Sequence, residues 1–147
     1  MFDAIILGVR TALLAIGLFC LFIAGFFHIY IFSLESITWL KPKTWKAFGL
    51  PSQDIAAVIQ PMAFNQGFYN LFLAIGILAG GSIAIVNQTI GFSLAFFAAS
   101  SMVGAGVVLF FSTKRSHRAA LLQAVPPLIG IIFTAIGLAI KTPIIIS

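Results

Sequence analysis

The stretch AFNQGFYNLFLAIGILAGGSIAIV, residues 63–86, decides the class of this protein because it contains no Asp, Glu, Lys or Arg. A helix of about 20 such residues is long enough to cross the hydrocarbon core of a bilayer. Three more stretches of the same kind lie at residues 11–32, 90–111 and 121–140. We therefore expect an all-α integral membrane protein, an antiparallel four-helix transmembrane bundle that forms a single domain over residues 1–147.

The composition excludes a soluble protein. Of the 147 residues, 61% are hydrophobic and only 7% are charged, whereas a soluble domain carries about 25% charged residues. The net charge of +5 does not indicate a nucleic-acid partner, because so few basic residues cannot form a phosphate-binding face. Cys20 is the single cysteine, which excludes an internal disulfide and a cysteine-based metal site. Since no nucleotide or metal motif is present, no cofactor and no metal are expected.

The basic residues are divided unequally between the two ends of the predicted bundle. The connections before the second and the fourth span contain six of them, and the other end contains Arg10 and Lys141. The six are Lys41, Lys43, Lys46, Lys114, Arg115 and Arg118. Because loops rich in Lys and Arg stay in the cytoplasm, we expect both termini to lie outside.

The segment between the first two spans, residues 33–62, carries alternating tryptophan and lysine residues. This pattern is typical of a chain that lies in the headgroup layer, so we expect the rings of Trp39 and Trp45 in the membrane interface. Ser52 can cap a short helix in the later part of the segment, and Pro61 can begin the second span.

Polar side chains inside a span are costly, so their positions carry information. In the second span, three amides and one tyrosine share one arc of the helix with Gly76 and Gly80, and we expect this arc to face the bundle. Polar groups of the first and fourth spans lie at the same depth, near the cytoplasm. The sequence predicts a polar cluster, open to the cytoplasm, that binds or passes a small polar or amphiphilic ligand such as a membrane lipid. Its residues are His28, Glu35, Asn65, Gln66, Tyr69, Asn70 and Gln123.

Other interpretations of these residues stay open. His28 and Glu35 lie on one face of the first span and could perform acid–base chemistry on a lipid-soluble substrate, so whether the chain is an enzyme is undecided. The amides could equally serve only to join helices in a structural or assembly subunit. Gly76, Gly80 and Gly130 are interpreted as positions of close helix packing. The phenylalanine-rich faces of the second and third spans also allow a small homo-oligomer.

His28 lies at the depth of the amides of Asn65, Gln66 and Asn70. We expect a neutral imidazole ring that is hydrogen-bonded to these amides and not to Glu35, because Glu35 lies about 10 Å further along the helix axis. A direct contact between His28 and Glu35 would contradict this expectation.

Three stretches carry a resemblance to a known family: residues 28–35 with Trp39, the run NQGFYNLFLA at residues 65–74, and QAVPP at residues 123–127. They resemble domain-of-unknown-function family 1304, a family of small bacterial membrane proteins. The resemblance implies a four-helix protein of the bacterial inner (plasma) membrane. It also implies that His28, Glu35 and the polar residues of 65–70 act as one set. It implies no activity, because the family has no established one.

Overall fold

The computed structural model describes residues 1–112 and 114–141, and this part of the chain is almost entirely helical. The helices, in chain order, are α1 (Phe2–Phe32), α2 (Pro42–Ala47), α3 (Gln53–Ile83), α4 (Gln88–Ser112) and α5 (His117–Ala139). A π-helical turn, Ser33–Ile37, continues α1, and a 3-10 turn, Lys114–Ser116, precedes α5. All helices except α2 are long and apolar enough to cross a membrane. This confirms an all-α protein with four membrane-length helices, of which α1 and α3 are longer than the predicted spans.

The four long helices form a ring in which each packs against two neighbours, in the order α1, α3, α4, α5 and back to α1. We call one end of this bundle the basic end; it carries the connection between α1 and α3 and that between α4 and α5. The terminal end carries the start of α1, the turn between α3 and α4, and the end of α5. The core between the helices consists of small and aliphatic residues, namely Leu21, Ala24, Ile77, Ala95, Ala98, Ala99 and Met102.

Glycine allows the closest approaches between helices. A Cβ atom at Gly80 of α3 would lie 2.6 Å from the backbone N of Ala95 in α4, and one at Gly130 of α5 would lie 2.7 Å from Cγ of Leu21 in α1. Both distances are too short for two non-bonded heavy atoms, so only glycine fits without a shift of the helices. These contacts confirm that Gly80 and Gly130 are positions of close packing.

The second membrane helix, α3, begins at Gln53, well before the predicted span. Ser52 caps it as expected, since its Oγ accepts a hydrogen bond from the backbone N–H of Ile55 at 3.3 Å. The prediction of a separate short helix followed by a new helix from Pro61 is wrong, because Pro61 lies inside α3. Proline removes one N–H donor, and the carbonyl that loses its partner belongs to exposed Ala57, where water or headgroups can satisfy it.

The connection between α1 and α3 folds back onto the bundle. Trp39 and Trp45 are 5% and 8% exposed, so the prediction that their rings lie in the membrane interface is wrong. Trp39 packs edge-on against Phe48 at a ring-centroid distance of 5.0 Å, and its Nε1 donates to the backbone oxygen of Ala56 at 2.8 Å. The indole N–H of Trp39 thus finds an acceptor inside the protein, which removes the reason for its ring to stay at the headgroups. The lysines of the same segment are exposed.

Candidate functional site

The π-helical turn at the end of α1 directs Glu35 into the bundle, where it is only 8% exposed. The backbone N–H of Thr38 closes this turn by donating to the carbonyl oxygen of Ser33 at 2.9 Å, one residue further back than in an α-helix. Ser36 donates from its Oγ to the backbone oxygen of Phe64 in α3 at 2.9 Å. The turn is therefore attached to α3 next to Glu35.

Glu35 accepts a hydrogen bond from Asn70 on α3. The distance between Asn70 Nδ2 and Glu35 Oε2 is 2.8 Å, and Asn70 is 7% exposed. The same Nδ2 also donates to the backbone oxygen of Gln66 at 3.2 Å, which holds the amide in this orientation. Gly67 allows the close approach, because a Cβ atom there would lie 3.2 Å from Cβ of Glu35. A buried carboxylate needs such a donor, since burial without one is costly.

His28 is buried on the same helix but has a different partner. It is 2% exposed, and its Nδ1 donates to the backbone oxygen of Ala24 at 2.9 Å. The prediction that this ring bonds to the amides of the second span is wrong, because Asn70 lies at the level of Glu35 and bonds to it instead. Since the side chains of His28, Glu35 and Asn70 are all buried, the expectation that the cluster is open is wrong for them.

Within the described residues, no group of three His, Cys, Asp or Glu side chains could hold a metal ion.

Gln123 of α5 lies at the level of His28. The helices α1 and α5 are antiparallel neighbours in which Leu21 faces Gly130. Moving two turns towards the basic end leads from Leu21 to His28 and from Gly130 to Gln123. The fold therefore brings half-buried Gln123 and buried His28, both members of the predicted set, to one depth.

Asn65, Gln66 and Tyr69 are exposed, so the expectation that their arc faces the bundle is wrong for these three residues. Gln66 and Tyr69 nevertheless lie on the side of α3 that faces α4. Residues seven positions apart lie on the same side of a helix; Tyr69 lies one such step before Gly76, and Gln66 lies two such steps before Gly80. Gly80 is buried against α4, yet Tyr69 is 55% exposed. Asn65 lies at the edge of the same side of α3, about 40° from Tyr69 around the helix axis.

The path of α4 explains this exposure. Near the middle of the bundle, a Cβ atom at Gly76 would lie 3.0 Å from Cβ of Ala98. Two turns further towards the basic end, Ala105, which lies on the same side of α4 as Ala98, is exposed. We infer that α3 and α4 are in contact near the terminal end and separate towards the basic end.

We call the space between the separated helices the α3–α4 opening. We infer that Gln66 and Tyr69 on α3 and Ala105 and Leu109 on α4 line it, because these residues lie on the facing sides of the two helices. The wall formed by α3 offers amide and hydroxyl groups, and the wall formed by α4 is apolar. Asn70 lies directly behind the polar wall, since its amide is bonded to the backbone of Gln66.

A change of side-chain size along α4 could have predicted this opening. The residues of α4 that pack near the terminal end include Gly91, Ala95 and Ala98. Towards the basic end, α4 continues as VVLFF at residues 107–111. Small residues allow two membrane helices to approach, and bulky ones hold them apart. The polarity of the residues on each helix face does not report their size, and the opening therefore does not follow from the polar arcs alone.

A family model described as Protein of unknown function (DUF1304) matches residues 22–135. The matched region contains every residue of the predicted site, from His28 to Gln123. No curated protein and no solved structure matches the chain.

Proposed function

The chain belongs to the family described as Protein of unknown function (DUF1304), and we propose that this multi-pass membrane protein binds one lipid molecule in its α3–α4 opening. The observation that carries the proposal is the exposure of Gln66 and Tyr69 on a helix face that is buried elsewhere along α3. Polar side chains left open between membrane helices are costly unless a ligand or water satisfies them.

The two walls of the opening suit a molecule with a polar and an apolar part. The amide of Gln66 and the hydroxyl of Tyr69 can each donate and accept hydrogen bonds, so they can bind a headgroup. Ala105 and Leu109 present only hydrocarbon, against which an acyl chain can pack. This combination favours a lipid over a small polar solute.

The surroundings of the polar wall favour an anionic headgroup. Exposed Lys114 and Arg118 lie at the same end of the bundle. Basic residues near a membrane surface attract anionic lipids by about 1 kcal/mol each.

Native mass spectrometry of the protein in a mild detergent tests this proposal. Gln66→Ala combined with Tyr69→Phe removes both polar groups of the opening, and it is expected to weaken the retention of one lipid about tenfold, the equivalent of two hydrogen bonds. Gln60→Ala is the matched control, because it removes an exposed amide on the opposite side of α3, about 180° from Tyr69 around the helix axis. Equal retention by the wild-type chain and the double variant would contradict the proposal, as would an equal loss in the control.

We further propose that the protein lies in a bacterial inner membrane with its basic end in the cytoplasm, because the charge difference between the ends favours that orientation. In a Cys20→Ser background, Ser116→Cys is expected to react with a membrane-impermeant maleimide only after the cells are broken. Ala4→Cys, at the terminal end, is the matched control and should react in intact cells. The reverse labelling pattern would show the opposite orientation.

A further inference from the structure

Arg10 lies near the start of α1, at the terminal end of the bundle. Its Nη2 donates a hydrogen bond to the side-chain oxygen of Gln88 in α4 at 3.2 Å. Its Nε is buried and has no hydrogen-bond partner within residues 1–112 and 114–141. Asp3, the acidic residue nearest to it in sequence, lies about 10 Å away along the helix axis. Because Nε is enclosed by the protein, an anion can reach this half-buried guanidinium only at its outer nitrogens, of which Nη2 already points to Gln88.

A groove of about 310 Å³ lies next to this guanidinium, between α4 and α5. This volume falls at the lower end of the range for small-molecule sites. The lining residues are the polar Gln88, Thr89 and Ser93 and the apolar Phe92, Phe96 and Leu138. Gln88 connects the two features, since it lines the groove and also accepts the hydrogen bond from Arg10. The groove therefore combines a polar mouth beside a cation with an apolar wall.

We propose that this groove, the Arg10 groove, binds an anionic phospholipid from the leaflet at the terminal end. The phosphate lies against Arg10 and Gln88, and one acyl chain lies along Phe92 and Phe96. A phosphodiester carries one negative charge and several acceptor oxygens, which match the charge and the donors of the guanidinium. The lipid is anionic because none of the lining residues carries a carboxylate that would bind the ammonium group of a zwitterionic headgroup.

This site is independent of the α3–α4 opening. It lies at the opposite end of the bundle and between a different pair of helices. A lipid in the opening is therefore counted as a separate bound molecule, and Arg10→Gln is expected to leave it in place.

The experiment is native mass spectrometry of the full chain in detergent, titrated with dioleoyl-phosphatidylglycerol or with dioleoyl-phosphatidylcholine. The wild-type chain is expected to bind one phosphatidylglycerol about tenfold more tightly than phosphatidylcholine, as a single charge-assisted contact provides. In the Gln66→Ala, Tyr69→Phe background, which lacks the polar wall of the α3–α4 opening, Arg10→Gln is expected to remove this preference. Lys43→Gln is the matched control, because it makes the same charge change at an exposed residue of α2 and should keep the preference.

A second variant tests the acyl-chain part of the proposal even if Arg10→Gln fails to fold. Ser93→Phe fills the groove and leaves Arg10 in place, and it is expected to weaken phosphatidylglycerol binding about tenfold. Loss of the preference in Lys43→Gln as well would overturn the proposal, since overall charge would then explain it. The proposal would also be overturned if Ser93→Phe bound phosphatidylglycerol as tightly as the wild-type chain and inorganic phosphate displaced this lipid. The site would then bind a free anion and not an acyl chain. Gln66→Ala with Tyr69→Phe should leave this site unchanged, so the two lipid proposals fail separately.

Discussion

Asn70→Ala is expected to lower the free energy of unfolding by about 2 kcal/mol, because it removes the hydrogen-bond donor to the buried Glu35 carboxyl group. The two side chains are 7% and 8% exposed, so water has little access to replace the lost amide. Denaturant unfolding in detergent, followed by circular dichroism, measures the change. Asn65→Ala is the control: the side chain is exposed, and we expect a change within about 0.5 kcal/mol.

The same pair allows a test by rescue. Adding Glu35→Leu to Asn70→Ala is expected to recover part of the lost stability, because no buried carboxylate then remains without a donor. Equal destabilisation by Asn65→Ala and Asn70→Ala, or a double variant less stable than Asn70→Ala alone, would show that the hydrogen bond to Glu35 does not stabilise the bundle.

Gly80→Ala is expected to destabilise the bundle by about 2 kcal/mol, because the added methyl group would lie 2.6 Å from the backbone N of Ala95 and 2.8 Å from the backbone oxygen of Gly91. Backbone atoms cannot turn aside as a flexible side chain can, so α4 has to move away from α3. The unfolding measurement used for Asn70 also measures this change.

Gly104→Ala is the matched control for this substitution. A Cβ atom at Gly104 of α4 would meet no atom within 4 Å. Because alanine has the higher helix propensity, this variant is expected to be as stable as the wild-type chain or more stable by about 0.5 kcal/mol. If both glycine variants had the same stability, the close contact between α3 and α4 at Gly80 would not limit the packing.

The helical fold could be predicted almost completely from the sequence, because its causes are local. A long stretch without charged side chains has few alternatives to a membrane helix, since every backbone polar group must be satisfied within it. The cap at Ser52 depends on a residue three positions away, and it was predicted for the same reason. Pro61 was misread as a helix start because the length of α3 is decided by its packing as well as by its local residues.

The candidate site could be predicted only in part. The cost of polar groups inside a span predicts that His28 and Asn70 face the bundle, and the structure confirms it. Their full enclosure, and the burial of Glu35, do not follow from the sequence, which predicts a cluster open to the cytoplasm. The pairing of these groups does not follow from the sequence. It depends on the packing register between α1 and α3 and on the π-helical turn that directs Glu35 towards Asn70. No residue pattern in either helix reports that register by itself.

That Gln66 and Tyr69 share a face of α3 with Gly76 and Gly80 follows from the amino-acid sequence, because the helical repeat is set by hydrogen bonds between residues four positions apart. What that face contacts depends on the packing of α3 against α4. It lies against α4 near the terminal end and is exposed in the α3–α4 opening at the basic end. The physical reason is that the distance between two helices depends on the side-chain volumes of both, and the residues of α4 that set it lie far along the chain.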